Sequence, residues 1–300
     1  MKPLTAENLP EIGRTKVDAD EMAAFEREDD FTGLAVDLMI ETGSWVCVAA
    51  STFGEKPVWD RDRAAICGNM VRLYKLVHTV LDQTTQKRQE SAFIFARLVF
   101  ETLVNIRYMV QHFEPTLIDE YVKYSLRHER KLRDRVLSNV AARNGVMLPI
   151  EDRMLKSIER AATVAQVSLD DVDLEQKGPW GGKNLFDKAE AVGLGDIYLG
   201  AFAGPSHSVH GNWHEIYSNH VEWDGEGGFT PNLEWQYPRP QVIFALCTLI
   251  TETLAIYFEF MCGEQWEELF GEPLADLLDR IDSASNAHEA YLGGKQWPEI

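Results

Sequence analysis

Apolar residues recur at helical spacing along most of this chain. Between residues 58 and 83, Ile66, Met70, Leu73, Val77, Val80 and Leu81 fall close to three or four apart, which predicts a long helix. The same spacing predicts helices over 31–51, with Gly43 and Ser44 weakening its middle, and over 86–113. A further helix is expected over 116–144, opened by Pro115 and stopped by Asn144 and Gly145. Others are expected over 149–166, 184–192, 196–203, 240–262 and 264–283, with 168–182 as a loop. Two Trp-bearing runs flank a Gly-rich turn within 221–238, which predicts a β-hairpin. The expected fold is all-α: a multi-helix bundle with one small β-hairpin inserted near residues 221–237. Residues 1–30 are expected to be a loose lead-in, 31–287 a single all-α domain, and 288–300 a tail.

The helix over 86–113 is apolar nearly all round, so it should be buried. Its polar exceptions are ordered. Glu90, Arg97, Glu101, Asn105, Tyr108 and His112 fall within about 80° of one another at 100° per residue. Arg97 and Glu101, four apart, can bond side by side. Charged groups in a buried helix are expensive unless paired. The stripe therefore either lines a cleft or forms a satisfied internal network.

A second concentration of polar chemistry follows Pro205. His207, His210 and His214 lie within eight residues, beside Ser206, Ser208 and Gly211. Were 206–217 helical, the three imidazoles would share a face. Three readings compete. The histidines could hold a divalent metal, though the spacing matches no zinc motif. They could serve as acid–base groups, with His210 moving protons, His207 assisting, Arg97 steadying a phosphate and Glu101 orienting a ring. Or they could bond to backbone and hold the fold, with Trp213 packed beside them. No resident metal or cofactor is expected. The lining groups of such a site would be Asn105, Tyr108, Tyr198, Ser206 and His214.

Charge narrows the partners. The net charge is −19, from 29 basic and 48 acidic residues. That opposes bulk attraction to nucleic acid or to an anionic membrane. Against this background, residues 121–143 carry seven Lys or Arg and two acids. Lys123, Arg127 and Arg130 begin a face that either pairs with the chain's own acidic loops or tracks RNA phosphates or an acidic protein partner. A homo-oligomer is compatible with the sequence. The run 241–262 is long enough to span a bilayer, but Glu252 and Glu259 argue for a core helix instead. Cys47, Cys67, Cys247 and Cys262 form no CxxC pair, so buried reduced thiols in a cytoplasmic protein are expected.

Two segments carry a resemblance. Residues 96–110 with 118–134, and residues 186–213, are together similar to the bacterial domain-of-unknown-function family DUF5677. The shared features are Arg97 and Glu101 on a long buried helix, Tyr121 and Tyr124 on the next, and Tyr198 followed by Ser206, His210 and Gly211. The resemblance covers about residues 35–260. It implies an all-α fold and no established activity. A weaker similarity is to HEPN ribonucleases, through Arg107 and His112 and through Ser208, His210 and Gly211. Gly204 and Pro205 stand where that motif's arginine would be, so Arg97 would have to replace it.

Two functional classes follow. One is a metal-independent, HEPN-like ribonuclease or phosphodiesterase using His210, Arg97, Glu101 and His207. The other is a non-catalytic helical module that binds a protein or a small ligand, in a defence or toxin–antitoxin-type system.

Overall fold

The computed structural model describes residues 9–53 and 58–295. Four long helices make the frame: α2 (Glu28–Ala50), α3 (Arg61–Thr85), α4 (Gln89–Gln111) and α11 (Pro240–Cys262). Each packs on the next, and α11 returns to α2, closing a four-helix ring. Its core is fully buried: Leu38, Met39 and Val46 from α2, Ile66, Met70 and Leu73 from α3, Val99, Phe100 and Leu103 from α4, and Ile250, Leu254 and Phe258 from α11. Asp60 caps α3 by accepting the Arg63 amide hydrogen at 2.9 Å. Gly43 does not break α2. A Cβ there would lie 3.2 Å from Val77 Cγ1, so its absence is what lets α3 approach this closely.

The expected bundle and hairpin are both present. The hairpin pairs β1 (Val221–Trp223) with β2 (Phe229–Pro231), in antiparallel register. Several boundaries differ from the sequence expectation. The helix expected over 116–144 is two helices, α5 (Pro115–Ser125) and α6 (Arg127–Ala142), broken at Leu126. Leu126 turns inward to join Ile158, Ala162, Leu169 and Val172 in a second, smaller core. That small core holds α6 against α7 (Pro149–Ala165) as an arm, joined to the frame through α5, which packs on α3. The last helix, α12 (Glu272–Gly293), runs ten residues past the expected end at 283.

Both ends of the described chain are tied down. Residues 9–18, expected to be loose, lie against α2 and α12. The Thr15 amide donates to Glu41 at 2.7 Å, and Arg14 pairs with Asp276 at 2.6 Å. A short α1 (Ala19–Ala23) follows and packs on α12. His288, expected in the tail, sits on α12 with no exposure, between Phe31 and Phe244. Cys67 and Cys247 are buried as expected, but Cys47 is exposed. Two helices, α2 and the run 240–265, are long and apolar enough to cross a membrane. In this fold both are frame elements, and α11 packs on α2, α4 and α12.

His288 makes acid stability measurable. Burial lowers its imidazole below the ordinary value, with Glu28 opposing at 3.7 Å. The unfolded chain therefore takes up this proton at a higher pH than the native one does, so stability falls as pH drops below about 6.5. We expect His288→Phe to flatten the loss of stability between pH 7 and pH 5, read as the shift in urea midpoint. An unchanged slope would show that His288 is protonated in the native state.

Candidate functional site

The two concentrations of polar chemistry meet only in part. Helix α4 packs against a π-helical turn (Leu199–Ala203) and against α9 (Gly204–His210). Here Arg97 lays its guanidinium over the Phe202 ring at 4.4 Å, and its Nε is buried without a hydrogen-bond partner. Arg97 and Glu101, spaced so that they can bond, form no ion pair among the described residues. Both are half-buried near Tyr198. Burial raises the Tyr198 phenol, with Arg97 opposing and Glu101 adding. Tyr198 itself packs on Phe186 and Phe202, and Ser206 spends its hydroxyl on the Phe202 carbonyl at 2.6 Å. Asn105 is half-buried lower on α4.

Residues 206–217 are not one helix, so the condition under which the three imidazoles would share a face is not met. Gly211, with φ +57°, ends α9 in the left-handed region, and Asn212 caps α10 (Trp213–Asn219) through the Glu215 amide. His207 and His210 are thus on one helix and His214 on another. His207 Nδ1 is bonded to the Asn212 amide, and His214 Nδ1 to the Tyr217 hydroxyl at 3.1 Å. His210 is exposed at the end of α9. Among the described residues no three His, Cys, Asp or Glu side chains converge as metal ligands. The pin of this region is Glu215, which is buried. It accepts from the Ser208 hydroxyl at 2.8 Å and pairs with His220 at 3.3 Å, so it ties α9, α10 and the base of β1 together.

Two other groups of residues are taken up in the fold. Arg107, offered by the weaker resemblance as a partner for His112, points into the frame. It donates to Thr253 Oγ1, the Leu249 carbonyl and Glu252, riveting α4 to α11, while His112 is exposed. The basic face is largely consumed inside the chain. Lys123 pairs with Asp119, Arg127 donates to the Leu174 carbonyl, and Arg130 binds the Leu169 carbonyl and Asp170. Tyr108 is buried, edge-on to Trp180 at 5.6 Å.

What the sequence did not reveal is a chain of contacting rings, exposed from His214 onward. His207 and His214 lie 4.9 Å apart, His214 and Tyr217 5.2 Å, Tyr217 and Trp213 6.1 Å, and Trp213 and Phe229 5.6 Å. Phe229 is the cross-strand partner of Trp223 on the same face of the hairpin. Trp213 is 62% exposed, Tyr217 46%, Trp223 65% and Phe229 48%. Farther along, Trp235 and Tyr237 are also exposed, and Arg88 and Lys87 sit over their rings at 5.4 and 4.6 Å. Segment 213–237 holds five acids and no Lys or Arg. The two Trp-bearing runs were visible in the sequence, but Trp is more often buried than not.

A family model described as a family of unknown function (DUF5677) matches residues 63–229, from α3 to β2. The match is shorter than the 35–260 suggested by the sequence motifs. It ends before α11 and α12, which complete the core. No curated protein and no solved structure matches the chain.

Proposed function

Taking as premise that the chain belongs to this family of unknown function, we propose that it is a non-catalytic helical module that binds another protein on its ring-lined face. The observation that carries this is the chain of contacting rings from His207 to Phe229, exposed from His214 onward, with the exposed Trp223 paired across the hairpin. Contiguous exposed apolar surface rimmed by polar groups marks interaction sites, and aromatic side chains dominate the energy of such contacts. The hairpin adds weight. Its strands have three residues each, both faces are largely in water, and β1 packs on α10. A ribbon of that kind gains little from folding alone. Its surface is matched to something outside the chain.

The hydrolase reading finds less support. Its phosphate clamp, Arg97, faces a ring, Arg107 is held in the frame, and His210 is bonded to neither. One experiment separates the two. A peptide-display library is selected on the wild-type chain and counter-selected on Trp213→Ser/Trp223→Ser. Enriched peptides that bind only the wild type support the docking reading; no enrichment overturns it. In parallel, wild type and His210→Ala are offered labelled single-stranded RNA. Cleavage lost in His210→Ala at unchanged Tm would replace the module with the hydrolase.

A further inference from the structure

We infer that the partner seated on the ring-lined face is an extended basic polypeptide segment carrying Arg or Lys at alternate positions. This rests on the docking reading above and names its occupant.

Charge is the first argument. The rings of Trp213, Tyr217, Trp223 and Phe229 lie in a segment with Glu215, Glu222, Asp224, Glu226 and Glu234 and no Lys or Arg. Glu215 is buried and already paired, and Asp224 holds the turn by accepting the Glu226 and Gly228 amide hydrogens. Glu222, Glu226 and Glu234 are exposed and enter no ion pair among the described residues. A nucleic acid would bring phosphates against these carboxylates, so stacked bases are disfavoured despite the rings. A cation meets both an attractive ring face and an uncompensated negative field.

The second argument is that the chain already does this with its own cations. At the continuation of the same segment, Lys87 and Arg88 leave the α3–α4 turn and settle over Tyr237 and Trp235. The rings nearer the hairpin are comparably exposed and have no cation over them among the described residues.

The third argument is spacing. Successive rings stand 6.1 Å and 5.6 Å apart along Tyr217, Trp213 and Phe229. Side chains on one face of an extended chain repeat at about 6.5 Å, twice the rise per residue. An extended segment can therefore bring alternate residues to successive rings. Tyr217 and Phe229 both touch Trp213 and make no ring contact with each other among the described residues, so the rings are strung out rather than closed into a box, which suits a polypeptide better than a single small ammonium ion. A second copy of this chain is a poorer fit. In its own basic run, residues 121–143, Lys123, Arg130, Arg133 and Arg143 are already paired with carboxylates.

The test uses the full chain and fluorescein-labelled twelve-residue peptides. One alternates Arg with Ser, one Gln with Ser and one Glu with Ser. We expect the Arg–Ser peptide to bind and the other two not to. Trp213→Ser/Trp223→Ser should weaken binding about tenfold. Glu222→Gln/Glu226→Gln/Glu234→Gln should weaken it and flatten its salt dependence. Because the rings are exposed, Tm should not move; if Trp213→Ser lowers it, Tyr217→Ser/Trp223→Ser takes its place. Equal binding of the Gln–Ser peptide overturns the basic partner while leaving the docking face standing. Binding abolished by the Gln variants but untouched by the ring variants reduces the effect to bulk charge and overturns it too. A concentration-dependent dimer that the ring variants disperse would make a second copy the occupant. Tighter binding of a labelled oligonucleotide would make it RNA. If nothing binds, and display selection also fails, the docking reading falls together with its partner.

Discussion

Glu41→Ala is expected to lower the unfolding free energy by about 3–5 kcal/mol, the usual loss when one member of a buried pair is removed. Glu41 is 5% exposed, and Arg280 meets it with two bonds of 2.7 Å. Without the carboxylate, Arg280 keeps only Asp276 and the Thr15 carbonyl. The pair joins α2 to α12 and, through the Thr15 amide, fastens the N-terminal strand of chain to both. Urea denaturation of Glu41→Ala beside Glu41→Leu/Arg280→Met decides the mechanism. The double variant should recover most of the loss, since two apolar side chains can fill the space an ion pair leaves. A double variant as unstable as the single would show that the pair supplies more than the cost of its own burial.

The same cluster sets a direction in pH. Burial alone would raise the Glu41 carboxyl, but Arg280 and the Thr15 amide outweigh it and hold it below the ordinary carboxylate range. Asp276, bonded first to Arg14 and then to Arg280, is lowered to about 2. Carboxyls held low in the folded state stabilise it fully above their unfolded values. That stability drains away as pH falls from about 4 through the folded values. Acid unfolding of the wild type should therefore steepen below about pH 4, and Glu41→Ala should lose part of that slope.

Lys188→Met is expected to move stability the other way, raising it by about 1–3 kcal/mol at pH 7. Lys188 is 2% exposed, has no carboxylate partner among the described residues, and is lowered to about 8 by burial. The Trp180 indole, 3.4 Å from the ammonium, returns part of that burial cost. Because the unfolded lysine holds its proton to a higher pH, wild-type stability should climb between about pH 8 and pH 10.5, and the advantage of Met should vanish above that window. Thermal melts at pH 7 and pH 10 check this. A variant less stable than wild type at pH 7 would mean that the ammonium–indole contact outweighs the desolvation.

The frame was legible because its signal is local. Ile66, Met70, Leu73 and Val77 announce one face of α3 by spacing alone, and such periodicity survives any tertiary context. The break at Leu126 was not legible, since neither Gly nor Pro marks it; the chain turns there to bury one leucine in the arm. Arg107 was equally opaque. Its sequence neighbours suggested a partnership with His112, but its actual partners, Thr253 and Glu252, stand 146 and 145 residues away. The candidate region suffered from the opposite problem. Three nearby histidines drew attention as chemistry, while Gly211 divides them between two helices and turns His214 toward Tyr217. The rings that now look more informative were read as a hairpin signature, because exposure is a property of the surroundings and not of Trp223 or Phe229.

Synthesis order has its own consequence for the ring of four. Helix α2 is made well before two of its neighbours, α11 and α12. Phe31, which packs on His288 and Tyr291, and Met39, which meets Cys247, must therefore wait for those partners while some two hundred residues are translated, at about 5–20 residues per second. For those seconds the nascent chain carries an apolar stripe with no lid. Its yield in a cell should depend on what shields that stripe until the far end arrives to close it.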